Sequence, residues 1–476
     1  MNIFIKNKLN YILVFIWFIT VLIAVLHHEV WFDVALSYLF VKEHTLKDIL
    51  FEMGHLEVHP PLWYLAEYPF VKILGCKLAV LQVIAFAFTF LSVCFFCFKS
   101  RFNFFIKFLF IFSAGMTYLL PVIGKNYSLI PLFIFILADI YPERLQKPVL
   151  YAFVIALLSQ IHAMMWGFCA ICSFFFLAEI IQSQFNSYKL THCLKISIKH
   201  IIAVVILVLD FMYLKFLFKD FITGNINDLS SAGIQVKIHD LITMIPLNIG
   251  IPNGFESYFF IAVSIILFLI IFIINKKSSV ILLFSVLCLE AVSGIFLAGV
   301  PAQKMYVAVL FLIFSCWICE KKNKITDVSK DIILSVLLAV LFFNPPFYKV
   351  IKDEINNFSS NQPEMQRYLN SNLDENDKIL LCVNDTNLDL FYLPYITDIK
   401  KTNIQYFKTD TVNNSYLDEY ISKNHTDIKF IVIPNSIEQN LKYPYIKVFD
   451  APKNALTTVN ICNPALNEYT VYMRVK

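Results

Sequence analysis

The sequence contains few charged residues. Only 16% of its 476 residues are Asp, Glu, Lys or Arg, whereas 58% are hydrophobic and the mean hydropathy is +0.67. An ordinary soluble domain has about 25% charged residues, because most of its surface contacts water. The shortage of charge therefore excludes cytosolic enzymes, secreted disulfide scaffolds and disordered chains. It predicts a polytopic α-helical membrane protein that has the lipid bilayer as a partner.

Glycine and net charge are scarce as well. The chain has 11 Gly, and they form no phosphate-binding loop. A net charge of +4 is too small to indicate a nucleic-acid partner. The sequence also lacks an internal repeat and a low-complexity tract.

The charge is distributed unevenly along the chain. Residues 1–351 carry a balance of +7, residues 352–476 carry a balance of −3, and the second segment lacks a long apolar run. This shift near Pro345-Pro346 predicts a transmembrane domain over 1–349 and a small α/β domain over 350–476. Predicted strands in the second domain cover 378–384, 428–434, 444–449 and 468–474, with helices over 361–373 and 414–424.

Apolar segments long enough to span a bilayer recur through the first domain. A spanning helix needs about 20 mostly apolar residues. We predict about 11 spans, near 9–27, 78–98, 104–122, 127–142, 148–162, 163–182, 200–218, 255–274, 279–299, 303–319 and 331–347. The apolar segment 61–75 is shorter, and we predict an interfacial or re-entrant helix there.

The positions of Lys and Arg predict the orientation. Short basic loops stay in the cytoplasm, and every second loop between the predicted spans is basic, beginning with Lys6 and Lys8 before the first span. We therefore predict a multi-pass protein of the cytoplasmic (inner) membrane with a cytoplasmic N-terminus. The first loop, 28–77, and the C-terminal domain are then extracytoplasmic.

Acids and imidazoles are concentrated in this first external loop. The residues concerned are His27, His28, Glu29, Asp33, Glu52, His55, Glu57 and His59. Polar groups between apolar helices are costly unless they are satisfied or used. A functional site and a merely polar loop with interfacial Trp and Tyr both explain this composition.

The order of several short elements is similar to that of the GT-C glycosyltransferases, which include the protein O-mannosyltransferases, aminoarabinose transferases and bacterial family 39-like proteins. The elements are His28-Glu29 with Trp31, Asp33 and Ala35, then His59-Pro60-Pro61-Leu62-Trp63-Tyr64, Gly124-Lys125-Asn126-Tyr127-Ser128-Leu129, Ser159-Gln160-Ile161-His162 and Gln303-Lys304-Met305-Tyr306. They extend over roughly residues 20–320, and all fall on the predicted external face.

The resemblance implies an enzyme that transfers a sugar from a polyprenyl-phosphate donor, with inversion, to a glycan, lipid or protein acceptor. It implies Asp33 and Glu29 as catalytic residues, with Asp33 accepting or orienting the acceptor proton. Donor and acceptor would be bound by His59, Glu57, Tyr64, Lys125, Tyr127, His162, Lys304 and Tyr306. The two lysines would supply positive charge to the departing phosphate. No cofactor is required.

The same residues also have simpler structural roles open to them. Many GT-C relatives have Asp-Glu where this chain has Asp33-Val34, which leaves one carboxylate at that position. Three explanations are open: Glu29 supplies the second carboxylate, one carboxylate suffices for the reaction, or this chain is an inactive member of the group. Asp33 could instead N-cap a helix over 34–43, and Lys125 and Lys304 could be interfacial residues whose side chains snorkel to water. His59 could be a loop hydrogen-bonder, and His162 an interface residue.

Metal, thiol and intramembrane acid sites are weaker candidates. The first-loop ligands suffice for one divalent ion, although hydrogen bonding alone explains them. Three Cys-x-x-Cys pairs, at 94/97, 169/172 and 316/319, lie in apolar spans, which favours packing over zinc or redox chemistry. A disulfide between Cys382 and Cys462 is compatible with the sequence. For Asp210 and Glu290 we predict hydrogen bonding between helices.

Two other functions fit a many-span envelope protein. An O-antigen-type polymerase or ligase would be expected to have an arginine-rich external loop, whereas loop 219–254 has no Arg. A transporter or flippase of lipid-linked sugars would have polar residues along its spans and often two related halves. Neither feature stands out in this sequence.

Overall fold

A computed structural model describes residues 3–28, 32–52, 59–77, 79–185, 190–219, 255–296, 302–319, 324–343, 362–374, 377–383, 404–408, 428–434, 445–449 and 469–474. Most of these residues are helical, and a small sheet lies in the C-terminal region. The chain divides into two compact units. One comprises residues 1–25, 43–69 and 81–348, and the other comprises residues 26–42, 70–80 and 349–476.

The α-helices up to residue 111 are α1 (Ile3–His27), α2 (Phe32–Glu43), α3 (Leu46–Phe51), α4 (Leu62–Tyr68), α5 (Val80–Lys99) and α6 (Phe104–Ile111). Two of them begin at side-chain caps: Thr45 and Asp48 form a capping box on α3, and the Asn103 side chain accepts from Ile106 N at the start of α6. Pro60 and Pro61 immediately precede α4. Helix α4 is followed directly by a π-helix over Pro69–Ile73.

The later helices are α7 (Ile130–Ile140), α8 (Pro148–Ser159), α9 (Trp166–Phe185), α10 (Leu190–Leu217), α11 (Phe255–Ile274), α12 (Lys276–Phe296), α13 (Ala302–Ile318), α14 (Lys324–Phe342) and α15 (Gln362–Asn372). Each predicted span overlaps a described helix. The third is interrupted, because a π-helix over Gly115–Leu119 follows α6, and short 3-10 turns precede α7 and α9.

Several helices suit a bilayer. Among the residues that the structure describes, four helical segments are long and apolar enough to cross a membrane: Lys8–His27, Val80–Lys99, Ala163–Gln182 and Ile198–Leu217. Shorter apolar helices lie over Pro148–Ser159, Tyr258–Ile274 and Tyr306–Ile318. Many large side chains stay exposed on these helices, such as Phe211 on α10 and Ile273 on α11. The chain is therefore a helical membrane-embedded protein.

The basic loops of the first unit gather at one end of its helices, which we call the basic end. Trp317, near the end of α13, packs against Phe96 and Phe102 in the α5–α6 region, and Ser278 at the start of α12 donates to Ser315 O. Beside them lies a charged triad. Arg144 holds both oxygens of Glu179 at 2.7 and 2.8 Å, and Lys277 donates to one of them at 2.7 Å.

The C-terminal region contains a five-stranded sheet. Its strands are β1 (Lys378–Val383), β2 (Ile404–Lys408), β3 (Ile428–Pro434), β4 (Tyr445–Phe449) and β5 (Tyr469–Arg474), in the order β2-β1-β3-β5-β4. Strand β1 is parallel to β2 and β3, whereas β5 is antiparallel to β3 and β4. All four predicted strands are present, together with the predicted helix α15, and β2 was missed. The predicted helix 414–424 lies outside the described residues.

Apolar side chains fill both faces of this sheet. Ile379, Leu381 and Phe430 pack beneath α15 on one face, while Leu380 and Ile431 lie on the other. Such burial on two faces is typical of parallel strands covered on both sides. Cys382 is a buried free thiol, and burial raises its pKa to about 12. The structure therefore shows no bridge at Cys382, and Cys462 lies outside the described residues.

Candidate functional site

The candidate site lies at the ends of α7 and α8 that point away from the basic end. Gly124 adopts a φ of 72°, a conformation that side chains disfavour, and it turns the chain into Lys125. A 3-10 turn over Asn126–Leu129 then leads into α7. The buried Asn126 amide donates to Ile161 O at 3.0 Å, which ties this turn to the loop after α8. Lys125 is half-buried beside it.

Three predicted site residues meet here, and we call them the histidine–tyrosine cluster: His59, Tyr127 and His162. The Tyr127 hydroxyl lies 3.3 Å from His162 Nε2, and the rings of His59 and His162 are in edge contact with centroids 5.0 Å apart. Tyr127 and His162 are buried, whereas His59 is half-buried. The cluster thus brings residues from three distant parts of the sequence into one polar site.

Hydrogen bonding determines the tautomer of His162. Its Nδ1 accepts the backbone N–H of Met164 at 3.1 Å, which caps the 3-10 turn before α9. A neutral imidazole that accepts at Nδ1 carries its proton at Nε2. His162 therefore donates to the Tyr127 oxygen, and the phenol proton of Tyr127 is directed to another acceptor. His162 thus holds the Tyr127 hydroxyl in place through its Nε2 proton.

Helix α4 adds a buried wall next to the cluster. It packs against the Asn126–Leu129 turn and against α3, and Leu62 N donates to Gln160 O at 3.1 Å. Tyr64 is buried on this helix. Glu67, one turn further on, is fully buried, and our sequence reasoning missed it. The signal was available, because Glu67 is the only acid in the apolar segment 61–75.

An intramembrane acid supports the loop that carries His162. Asp210 on α10 accepts from Ser159 Oγ at 2.7 Å and from Gln160 Nε2 at 2.6 Å. The predicted hydrogen bonding between helices is therefore confirmed for Asp210. Since the Gln160 carbonyl also accepts from Leu62, the carboxylate positions the end of α8 and, through it, the start of α4. Tyr213, one turn along α10, donates to Leu50 O of α3 at 2.6 Å.

The prediction for Glu290 is wrong within the described part of the chain. This residue on α12 is 5% exposed, and neither carboxylate oxygen has a hydrogen-bond partner among the described residues. The Cys-x-x-Cys thiols are free, and five of the six are buried: Cys97, Cys169, Cys172, Cys316 and Cys319. Their predicted role in packing agrees with this burial.

Tyr306 contacts residues other than the histidine–tyrosine cluster. Its buried hydroxyl lies 2.5 Å from Ser113 Oγ, and its ring lies so close to Gly115 that a methyl group there would overlap it. Lys304 lies in α13, but its side chain is not among those described. Tyr306 therefore packs α13 against the π-helix Gly115–Leu119, which precedes Gly124 in the chain.

The first-loop carboxylates are described in part. Asp33 is the second residue of α2, so it lies inside the helix and does not cap it, because an N-cap precedes the first helical residue. Its side chain, Glu29 and Glu57 lie outside the described residues. Among the residues that are described, no three His, Cys, Asp or Glu side chains converge as metal ligands, while Glu29, His55 and Glu57 fall outside that comparison.

The site therefore combines imidazole and phenol rings, a half-buried lysine before Tyr127 and a buried acid on α4. The rings and the lysine can donate hydrogen bonds to phosphate and hydroxyl oxygens, and a carboxylate can accept from a hydroxyl. No protein-family model matches the chain, and no curated protein sequence matches it either.

Proposed function

We propose that the chain is an integral-membrane glycosyltransferase that transfers a sugar from a polyprenyl-phosphate donor to a cell-envelope acceptor. The supporting observation is the histidine–tyrosine cluster. Its three residues come from three separate elements of the GT-C resemblance, and His162 contacts both of the others. Chance matches of short motifs have no reason to converge in space.

The proposed reaction needs one proton acceptor and several donors. The acceptor hydroxyl attacks the anomeric carbon, its proton passes to the Asp33 carboxylate, and the bond from carbon to phosphate oxygen breaks. The polyprenyl phosphate leaves with the bonding electrons, and the anomeric configuration inverts. Lys125 and Lys304 stabilise the departing phosphate, while Tyr127 and His59 donate hydrogen bonds. Glu29, Glu57 and Tyr64 orient the two substrates.

The proposal includes eleven spans in the cytoplasmic membrane, with the cluster on the extracytoplasmic side. The gathering of the basic loops at the opposite end of α7 and α8 supports this orientation, since short basic loops are retained in the cytoplasm. An odd number of spans after a cytoplasmic N-terminus makes the C-terminal domain extracytoplasmic as well.

The test compares Asp33→Asn with the matched variant Asp139→Asn, an exposed acid on α7. Membranes containing each protein receive radiolabelled polyprenyl-phosphate hexoses and pentoses, and label is followed into lipid, polysaccharide and protein. We expect Asp33→Asn to lower transfer at least about a hundredfold and Asp139→Asn to leave it unchanged. Unchanged transfer by folded Asp33→Asn protein removes Asp33 from the mechanism. Movement of the donor across the membrane without transfer indicates a transporter instead.

A second variant probes the cluster itself. Tyr127→Phe removes the hydroxyl that accepts from His162 Nε2, while the ring still packs. We expect the KM for the lipid donor to rise about tenfold, as for the loss of one hydrogen bond to a charged oxygen, with the melting temperature preserved. Wild-type KM in this variant would exclude Tyr127 from donor binding.

A further inference from the structure

A polar cavity of about 380 Å³ opens at the basic end of the first unit. Its walls come from the start of α1, the loop between α5 and α6, the start of α6 and the first half of α14. The polar residues that line it are Asn10, Arg101, Asn103, Lys107 and Asp331. The cavity lies at the end of the helices opposite to the histidine–tyrosine cluster, so it is separate from the proposed glycosyltransfer site.

Positive charge dominates this cavity. Lys107 is only 1% exposed, and its Nζ donates to Cys97 O at 2.5 Å, as does the Asn10 amide at 2.9 Å. Arg101 is exposed at the rim. Asp331 offsets one of the two cations, which leaves the lining with a net charge of +1 that suits an anion with one negative charge.

An apolar groove of about 510 Å³ continues from the cavity between α6 and α14. It shares Asn103 and Asp331 with the cavity, and its other walls include Phe105, Val328 and Ile332. These three side chains are 56%, 51% and 56% exposed, respectively, on helices of a membrane-embedded unit. The groove is therefore open to lipid tails.

We propose that the cavity and the groove together bind one anionic phospholipid. The phosphodiester contacts Arg101 and the amide of Asn103 near the Lys107 charge, and an acyl chain lies along α14 in the groove. Charge complementarity selects the head group, because a net positive cavity favours a phosphodiester without a compensating ammonium. Continuity with the groove selects a lipid over a soluble anion, which would leave the apolar walls unused.

Three features make this site more specific than general attraction of lipids to basic loops. Lys107 is buried, so its charge is screened less than that of a surface lysine. Arg offers a planar fork that matches phosphate oxygens. The apolar groove adjoins the polar cavity directly, because Asn103 and Asp331 line both. The proposal does not depend on the proposed glycosyltransferase activity, and its test uses no transfer reaction.

The experiment measures phospholipid binding to the full-length protein by native mass spectrometry from detergent micelles. The probes are phosphatidylglycerol, phosphatidylcholine and free glycerol 3-phosphate. Arg101→Ala is compared with Lys99→Ala, a neighbouring exposed lysine that does not line the cavity. We expect Arg101→Ala to weaken phosphatidylglycerol binding about tenfold, as for the loss of one charge-assisted contact, and Lys99→Ala to leave it within about twofold of wild type.

The groove is tested separately with Ala339→Phe, which narrows it without changing charge. We expect this variant to weaken phosphatidylglycerol binding while the melting temperature stays near that of the wild type. The proposal is overturned if Arg101→Ala and Lys99→Ala lose affinity equally, or if phosphatidylcholine binds as tightly as phosphatidylglycerol. It is also overturned if glycerol 3-phosphate competes as well as the intact lipid, because the site then binds a soluble anion.

Discussion

The two ends of α7 and α8 differ in how they hold their polar groups. At the basic end, charges pair with charges: Arg144 and Lys277 both bind Glu179. At the other end, the histidine–tyrosine cluster uses imidazole and phenol rings and backbone groups, and the carboxylate of Asp210 accepts from uncharged donors. Both ends join segments that are distant in the sequence, but they do so by different chemistry.

This difference indicates a division of labour. A carboxylate with two cationic partners is satisfied, and it fixes the loop after α7, helix α9 and the start of α12 relative to one another. Hydroxyl and imidazole N–H groups are donors of the kind that bind sugar and phosphate oxygens. The basic end is therefore suited to holding the helices together, and the histidine–tyrosine end is suited to binding.

The largest effect is expected from breaking the triad. Glu179→Ala leaves Arg144 partly buried without its carboxylate, and we expect a loss of about 3 kcal/mol in stability. Thermal unfolding of the purified protein measures the loss. The matched control is Glu143→Ala, which removes the exposed Glu143–Lys147 pair and should leave the melting temperature unchanged. Equal effects of the two variants would contradict a structural role for the triad.

A smaller effect is expected from Asp210→Ala. This change leaves the Ser159 and Gln160 donors without their acceptor in a half-buried site, and such a loss costs about 2 kcal/mol. Because these residues precede His162, we also expect weaker donor binding, which Glu179→Ala should not reproduce at temperatures where it stays folded. Asp139→Ala, an exposed acid on α7, serves as the control. Lost stability with unchanged donor affinity would show that Asp210 does not position the cluster.

The smallest effect concerns α3, whose Leu50 carbonyl accepts from Tyr213. The backbone N–H and hydroxyl of Thr45 donate to Asp48 and lower its pKa below the ordinary 3.8. The folded-state pKa is thus below the unfolded one, so the cap is at full strength above pH 3.8 and is lost as the pH falls through the lowered value. The protection of α3 amides against hydrogen exchange, relative to unstructured peptide at the same pH, should fall in that pH range. Asp48→Asn removes the titrating carboxylate and should abolish this pH dependence, and persistence of the dependence would assign it to another group.

Parts of the fold were accessible from the sequence because their signals are local. Apolar runs predicted the helices, and four strands were recognised from their composition. Strand β2, Ile404–Lys408, was missed because it is short, lies at the edge of the sheet and pairs only with β1. Its assignment depends on pairing with β1, 25 residues earlier, which no local pattern reports.

The sequence predicted which residues belong to the candidate site, but not how they contact one another. The resemblance predicted His59, Tyr127 and His162 as site residues, but their mutual contacts are a property of the folded chain. Glu67 was overlooked because a single acid in an apolar run resembles an interfacial residue. Asp210 was recognised as a hydrogen bonder, yet only packing of α10 against α8 decided that Ser159 and Gln160 are its partners.

The sequence by itself determined that this is a helical membrane protein, because too little charge is available to cover a soluble surface. It also determined where the basic loops lie along the chain. Only the tertiary structure decided which polar groups meet: Glu179 with Arg144 and Lys277, and His162 with Tyr127 and His59. The physical reason is that burial cost is a property of each residue, whereas satisfaction of a buried polar group depends on a partner that folding brings from elsewhere.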